Sequence, residues 1–424
     1  MIIPTNQMVI TQDTVLSPGV YCLPDGIKIE GRDITLDGNG ATLFGKDSRG
    51  SGIYAQHAEN ITIKNISLQN YSWGINIRDS AHITITHCNV RCTHEIPANT
   101  VFLDIWIPYE NAYGAGIILK DVEHVLVEEN DFSHQMNGLL TYHCNQLRVV
   151  NNLANYCSGW GFHLNSTSNS YFEKNSADYC CRYEPRDSRK GHIGADSAGF
   201  LIVNHSCDNK FIKNNARMGG DGFFLAGMNP SFEAVGCDGN LFEENDASYS
   251  PNNAFEATFS RGNIFHANDA SNSNYGFWLG FSSSTVLEQN QMIANRQAGI
   301  AVENGVNFIV SGNLLSNNHY GRLLWSKLVP QIARLLPENI TSLNWRIEHN
   351  SFLSNHKAIR IAANQDHGIH PLPESGELGL LAPTPAHHII HDNKFESNVY
   401  VIEQADVQDT LIDGNEMVNN LHER

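Results

Sequence analysis

Three carboxylates fall in neighbouring segments of the mid-chain: Asp196 in GHIGADSAGF, Asp221 in MGGDGFF and Glu256 in NNAFEATFS. Two carboxyl groups held a few ångströms apart can cleave a glycosidic bond. One protonates the leaving oxygen while the other activates water. Asp196 lies three residues before Gly199, and Asp221 lies one before Gly222. If those glycines open equivalent strands on successive coils, a lateral offset of ~6.6 Å and a rise of ~4.8 Å set the two backbones ~8 Å apart. Inverting glycosidases hold their carboxyls ~6.5–9.5 Å apart. Glu256 sits between Phe255 and Ala257, and such apolar neighbours raise a carboxyl pKa toward that of a general acid. Two considerations weigh against these roles. Acids at turns often only cap them, and outward strand acids are often only solvated. Strict alternation would also point Asp221 inward, so the corner must turn it out, because an unpaired carboxylate in a core is costly.

Other side chains suit contact with a sugar. Trp160, Tyr275 and Trp278 offer ring faces for pyranose C–H groups, and Tyr142 and His163 offer polar partners for hydroxyls. His163 is also a candidate base. Arg182, with Arg186, Arg189 and Lys190, could hold a carboxylate. The cluster His387, His388 and His391 has the residue type of a metal site. On a strand, however, adjacent histidines face opposite ways, so no metal site is predicted. No cofactor is called for, although Ca2+ would accompany a lyase.

The elements that must position these groups are visible as a repeat. A hexad (apolar, two variable residues, Asn, one variable residue, apolar or Ala) recurs at Asn130, Asn152, Asn175, Asn214, Asn245, Asn268, Asn290, Asn313, Asn350, Asn393 and Asn415. Six of the ten gaps are 22 or 23 residues, and the others equal one period plus an insertion. About fourteen residues before each Asn stands a Gly followed by alternating apolar residues, as in Gly138-Leu-Leu-Thr, Gly161-Phe-His-Leu and Gly276-Phe-Trp-Leu. Such alternation is strand periodicity. A 22-residue coil cannot bury its apolar face alone, but stacked coils share one core. The predicted fold is therefore all-β, a single-stranded right-handed parallel β-helix of about 13 coils with 22–23 residues each. It forms one domain over residues 1–424. Asn suits the corner because it tolerates the left-handed backbone region and can hydrogen-bond from coil to coil. Cys88 occupies the ladder register one coil before Asn130, and Cys157 and Cys180 share another register inside the stack.

On these hexads and Gly strands, from about Asp25 to Asn420, the chain resembles the parallel β-helix repeat superfamily. That group holds polysaccharide lyases, glycoside hydrolases and uronan epimerases, with the copper-maturation protein NosD as a relative. The resemblance implies the fold and a carbohydrate-active class. No catalytic motif of the family matches residue for residue, so no site is carried over from it.

Insertions are expected near 93–113 and 183–197, after the Asn element, and near 228–236, 328–340 and 364–385, after the Gly strand. They raise both borders of the Gly-strand row, whose outer face becomes the floor of a trough. By period-2 logic Asn76, Arg78, Tyr142, His163, Asn165, Phe224, Glu256, Trp278, Glu303 and Trp325 face outward. The bland reading buries the apolar ones under the insertions. Leu328, Ile332, Leu335 and Leu336 recur at helical spacing, with Ser326 as a cap.

Composition narrows the function. With 27 Lys+Arg against 45 Asp+Glu, the formal charge is −18. An acidic surface repels phosphate backbones, so nucleic acid is excluded as a partner. No apolar run is long enough for a membrane span. Nine cysteines and no evident signal peptide point to reduced thiols and a cytoplasmic location. A homo-oligomer is compatible with all of this. The leading function is a glycoside hydrolase on an oligo- or polysaccharide, using Asp196, Asp221 and Glu256. The second is a polysaccharide lyase or uronate epimerase, for which Tyr142, His163 and the Arg182 cluster supply base and counter-charge. The third is a non-catalytic, NosD-like binding protein.

Overall fold

The computed structural model describes residues 1–97, 102–184, 192–194, 196–366, 370–371 and 381–422. It is a right-handed parallel β-helix made of two compact units, Met1–Asp221 and Gly222–Arg424. Each coil runs through three strand rows. The Gly strands form the first row, a second row follows directly, and a short third row begins after the ladder Asn.

In the first unit the glycine row passes from Ser51–Gln56 through Trp73–Thr86 and Ala115–Glu128 to Leu139–Tyr142, Trp160–Asn165 and Ala198–Val203, all parallel and in register. Coiling starts before the repeat signature does. Met8–Ile10 pairs with Ile27–Ile29, which pairs with Ser51–Gln56. In the second unit the row continues through Asn253–Thr258, Tyr275–Trp278, Ala298–Glu303, Tyr320–Ser326, Lys357–Ala363 and Tyr400–Ala405. Glycine recurs because the corner is tight. A Cβ on Gly138 would stand 2.4 Å from the Gly161 carbonyl oxygen, and one on Gly276 would stand 2.5 Å from that of Gly299.

The inward positions build the core. Phe162 stacks on Phe200 at 4.8 Å in the first unit. Phe223, Phe255 and Phe277 stack at 5.0 Å intervals in the second.

The Asn ladder forms as expected. Asn Nδ2 donates to the next Asn Oδ1 from Asn130 to Asn152 to Asn175 to Asn214, at 2.9–3.0 Å. A second run goes from Asn245 through Asn268, Asn290, Asn313, Asn350 and Asn393 to Asn415, at 2.9–3.1 Å. Cys88 joins through its backbone N–H, which donates to Asn130 Oδ1. The reason for Asn differs from the expected one. The left-handed residue is the one before each ladder position, among them Glu129, Asn151, Lys174, Ala267, Gln289 and His349. The Asn is there because its amide both donates and accepts inside a buried corner.

A helix does form within 328–340, at Pro330–Leu335, but Ser326 does not cap it. Pro330 opens the helix, while Ser326 is fully buried and its Oγ accepts from Thr341 Oγ1 and the Ser342 N–H. At the 183–197 insertion the described residues include an antiparallel pair, Arg182–Glu184 with His192–Gly194. Among the described residues no helix is long and apolar enough to cross a membrane.

Candidate functional site

In the first unit the insertion beginning near residue 93 lies over the glycine row and closes it. Trp73 Nε1 donates to the Tyr113 carbonyl, and Tyr109 Oη donates to Asn76 Oδ1 at 3.1 Å. Arg78 and Lys120 stand 5.0 and 4.9 Å from the centre of the Tyr109 ring, and Lys120 also pairs with Glu110. Rings then continue inward. Tyr109 meets Tyr142 edge-on at 5.8 Å, Tyr142 meets His163 at 5.2 Å, and Trp160 stacks on His163 at 4.9 Å.

The expectation that Tyr142, Trp160 and His163 stand open on a trough floor is therefore corrected. They do point outward, but all three are buried beneath the insertion. Burial drives the His163 imidazole down to about 3 and raises the Tyr142 phenol. Among the described residues, neither imidazole nitrogen of His163 nor the Tyr142 hydroxyl has a hydrogen-bond partner. Trp160 Nε1 donates to the Asp196 carbonyl, so its indole is held by the protein.

Arg182 is likewise occupied. Its Nη2 donates to the Pro97 carbonyl at 2.6 Å, its Nη1 lies 3.5 Å from Glu95, and its side chain is buried. It clamps the insertion from below instead of presenting a charge to solvent. Arg186, Arg189 and Lys190 lie outside the described residues. Asp196 has a left-handed φ of 59°, and Asp221 is buried. The Asp221 N–H donates to the Ser197 carbonyl, which sets the two acids on adjacent turns with the lateral stagger expected from the sequence.

The second unit keeps part of the same face open. Two columns of outward residues run up it in register. One is Asn253, Tyr275, Ala298, Tyr320, Lys357 and Tyr400; the other is Glu256, Trp278, Ala301, Leu323, Arg360 and Glu403. At the start of the strip, Asn253 Nδ2 donates to Glu256 Oε2 at 2.7 Å. One coil on, the half-buried Tyr275 and Trp278 meet edge-on at 4.9 Å and pack against Ala298, Ala301, Tyr320, Leu323 and Trp325. Ala298 and Ala301 are fully buried beneath these aromatic rings. At the far end Lys357 and Arg360 both grip Glu403, at 2.6 and 2.7 Å. Burial opposes ionisation of Glu403, but the two cations outweigh it and hold the carboxyl below the usual glutamate range.

The charged residues Lys357, Arg360 and Glu403 of this strip escaped sequence reading, while Tyr320, expected as an exposed corner aromatic, is buried. The last two coils carry Ala358 and Val401, and the first carries Ala254, where Gly276, Gly299 and Gly321 mark the coils between, so the Gly signal is silent at both ends of the strip. The hydrophobic alternation Ala358-Ile359-Arg360-Ile361 was the remaining signal.

Among the histidines, His388 is fully buried, while His391 bonds Glu348 at 2.7 Å and Asp392 at 2.9 Å. Among the described residues no group of three or more His, Cys, Asp or Glu side chains is arranged to hold a metal.

The coils, the Asn ladder and the glycine row define the class. The family model for a right-handed β-helix region matches residues 18–216 and 227–328, and the chain belongs to that family. Solved structures similar to it include the A-module of the mannuronan C-5 epimerase AlgE6 of Azotobacter vinelandii (13% identity, 97% of this chain and 91% of that one, TM-score 0.44). A double mutant of the periplasmic alginate epimerase AlgG is similar at 13% identity, over 95% of this chain and 79% of that one, with TM-score 0.45. The catalytic domain of a GH87 α-1,3-glucanase, solved with tetrasaccharides, is similar at 10% identity, over 96% and 64%, with TM-score 0.35. No curated protein matches the chain.

Proposed function

We propose that the protein is a carbohydrate-active enzyme, and that it is a glycoside hydrolase whose glycan lies along the strip from Asn253 and Glu256 to Lys357 and Arg360. The observation that carries this is the juxtaposition of a half-buried carboxylate, oriented by Asn253, with the Tyr275–Trp278 edge one coil away. Sugar rings pack their C–H faces on indole and phenol, while a carboxylate at the border of that apolar surface is placed to donate or take a proton. The strip spans four coil rises, ~19 Å, which is the reach of an oligosaccharide rather than a monosaccharide. The far end, with Lys357 and Arg360 beside Glu403, would meet hydroxyls or a weakly charged sugar. Asp196 and Asp221 form a second locus for the same chemistry in the first unit. The strip is favoured because Tyr275 and Trp278 are half-buried, whereas Tyr142, Trp160 and His163 of the first unit are fully covered.

The test is a panel of neutral and uronate-containing oligosaccharides scored for new reducing ends. Glu256→Gln should lower kcat by at least ~10²-fold, and Trp278→Ala should act mainly on KM. Retention of more than about a tenth of the activity by Glu256→Gln moves the chemistry to the Asp196–Asp221 locus. Asp196→Asn and Asp221→Asn then decide that locus.

A second reading, a polysaccharide lyase or uronate epimerase, is favoured by one observation: the Tyr142 hydroxyl and the His163 nitrogens have no hydrogen-bond partner and sit in touching rings. It predicts ultraviolet absorbance from an unsaturated uronate, or C5 inversion, and loss of both on His163→Phe. Tight glycan binding without turnover, unchanged by all of these substitutions, would support a binding protein instead.

A further inference from the structure

The core of the second unit holds a charge that the strip does not use. Arg322 follows Gly321, and by alternation it points inward. Its register partners are Ile300 and Ile359, both fully buried core residues. The Arg322 side chain is fully buried too, and its guanidinium carbon lies 4.0 Å from the centre of the Trp345 ring. Trp345 covers one face of the guanidinium, but among the described residues Nε, Nη1 and Nη2 have no hydrogen-bond partner. No carboxylate pairs with Arg322 among the described residues.

A second unsatisfied group lies close by. His388 stands one coil beyond Trp345, since the Ile389 N–H donates to the Trp345 carbonyl. His388 is fully buried, and among the described residues neither ring nitrogen has a partner. Burial, then the charge of Arg322, pushes its imidazole down to about 3, so it is neutral at pH 7 and offers an N–H. One coil further, the Thr410 hydroxyl is also buried without a partner. Thr410 lines a cleft of about 620 Å³ with Ile402, Glu403, Gln404, Leu411 and Ile412.

Arginine does not lose its proton to escape burial, and burial brings this one down only to about 9. A cation–π contact with Trp345 offsets only part of the cost of an uncompensated buried ion. Arg322 and His388 both stand beside Trp345, and among the described residues neither side chain has a hydrogen-bond acceptor. We propose that Arg322 and His388 together bind a small monovalent inorganic anion of the halide class inside the solenoid. The ion neutralises Arg322 and accepts the N–H groups that the protein leaves open, with Trp345 as the wall behind the guanidinium.

Bromide is the probe. Crystals of the full chain grown in sodium bromide should show an anomalous peak within hydrogen-bond distance of the Arg322 guanidinium. In solution, thermal unfolding is followed while bromide replaces a bulky sulfonate at fixed ionic strength. The midpoint should rise by about 2 °C for each tenfold increase above the dissociation constant. The rise should vanish in Arg322→Leu, which can itself fold well because it removes a buried charge. An ordered water with no anomalous signal beside Arg322 overturns the proposal. So does a bromide dependence that Arg322→Leu leaves unchanged. If that variant fails to fold, the wild-type anomalous map alone decides.

Discussion

Replacing Asn290 by Ala tests whether the Asn ladder, rather than apolar stacking alone, holds the coils in register. Asn290 is fully buried and makes four side-chain hydrogen bonds. Its Nδ2 donates to the Phe265 carbonyl at 2.9 Å and to Asn313 Oδ1 at 3.1 Å. Its Oδ1 accepts from the Asn268 N–H at 2.9 Å and from Asn268 Nδ2 at 3.0 Å. Truncation leaves the Asn268 backbone N–H with no acceptor at this buried corner. Stranding a buried donor costs about 1–3 kcal/mol, and the other three bonds add roughly 0.5–1.5 kcal/mol each, reduced where a second partner survives. Asn268 Nδ2 keeps the Phe242 carbonyl, and Asn313 Oδ1 keeps the Asn290 N–H. The expected loss is therefore about 3–5 kcal/mol. Asn290→Asp separates donor from acceptor. The carboxylate can still accept from Asn268, but it sets an acceptor against Asn313 Oδ1 and the Phe265 carbonyl. Burial and these oxygens raise its pKa in the folded state, so this variant should lose stability as pH rises above about 4, while wild type does not share that loss. Urea unfolding followed by far-ultraviolet circular dichroism measures both variants, with the m-value as a check that the same transition is compared. A loss below about 1 kcal/mol for Asn290→Ala, at unchanged m, would refute the reasoning and leave the aromatic stacks as the main source of registration.

Other outcomes follow from the same structure. His163 and His388 are both driven down to about 3 by burial, while the unfolded chain protonates near 6.5. Stability should fall as pH drops below about 6.5, by roughly 2 kcal/mol for each histidine at pH 5. His163→Phe should remove about one proton's worth of that slope in acid titrations of unfolding, and an unchanged slope would show that His163 is solvated. Gly276→Ala places a Cβ 2.5 Å from the Gly299 carbonyl oxygen. It should therefore lower the melting midpoint markedly, whereas Gly262→Ala, with open space around its Cβ, should act only through backbone strain at its φ of 69°. Arg182→Ala removes the hold on the Pro97 carbonyl and on Glu95, and should open that insertion to limited proteolysis while the coils stay folded by circular dichroism. None of the nine cysteines is in a disulfide, so thiol titration of the unfolded, unreduced protein should approach nine, and a count of five or fewer would indicate bridges formed in an oxidising compartment.

The solenoid was legible in the sequence because coil-to-coil contact makes the same demand at a fixed spacing. The Asn hexad and the Gly strand each report a local corner that only certain residues can occupy, so their period, row and face can be counted. Outward direction was legible as well: Tyr142, His163, Glu256 and Trp278 do leave the core. Exposure was not legible, because it depends on what an insertion does after it leaves the coil. Nothing in the spacing of Tyr142 and His163 says that Tyr109 returns across them. Nothing near Arg182 says that Glu95 and Pro97, more than eighty residues earlier, meet its guanidinium. The strip from Glu256 to Glu403 also needed the fold, since its far end lacks the glycine signal and its members are separated by whole coils. Arg322 was predicted by no pattern, because a single charged residue at an apolar position is invisible to periodicity. The repeat alone therefore determined the backbone path. Which of its outward side chains are covered, paired or left unsatisfied was decided by contacts between segments distant in sequence, where burial and partner geometry set the cost of each polar group.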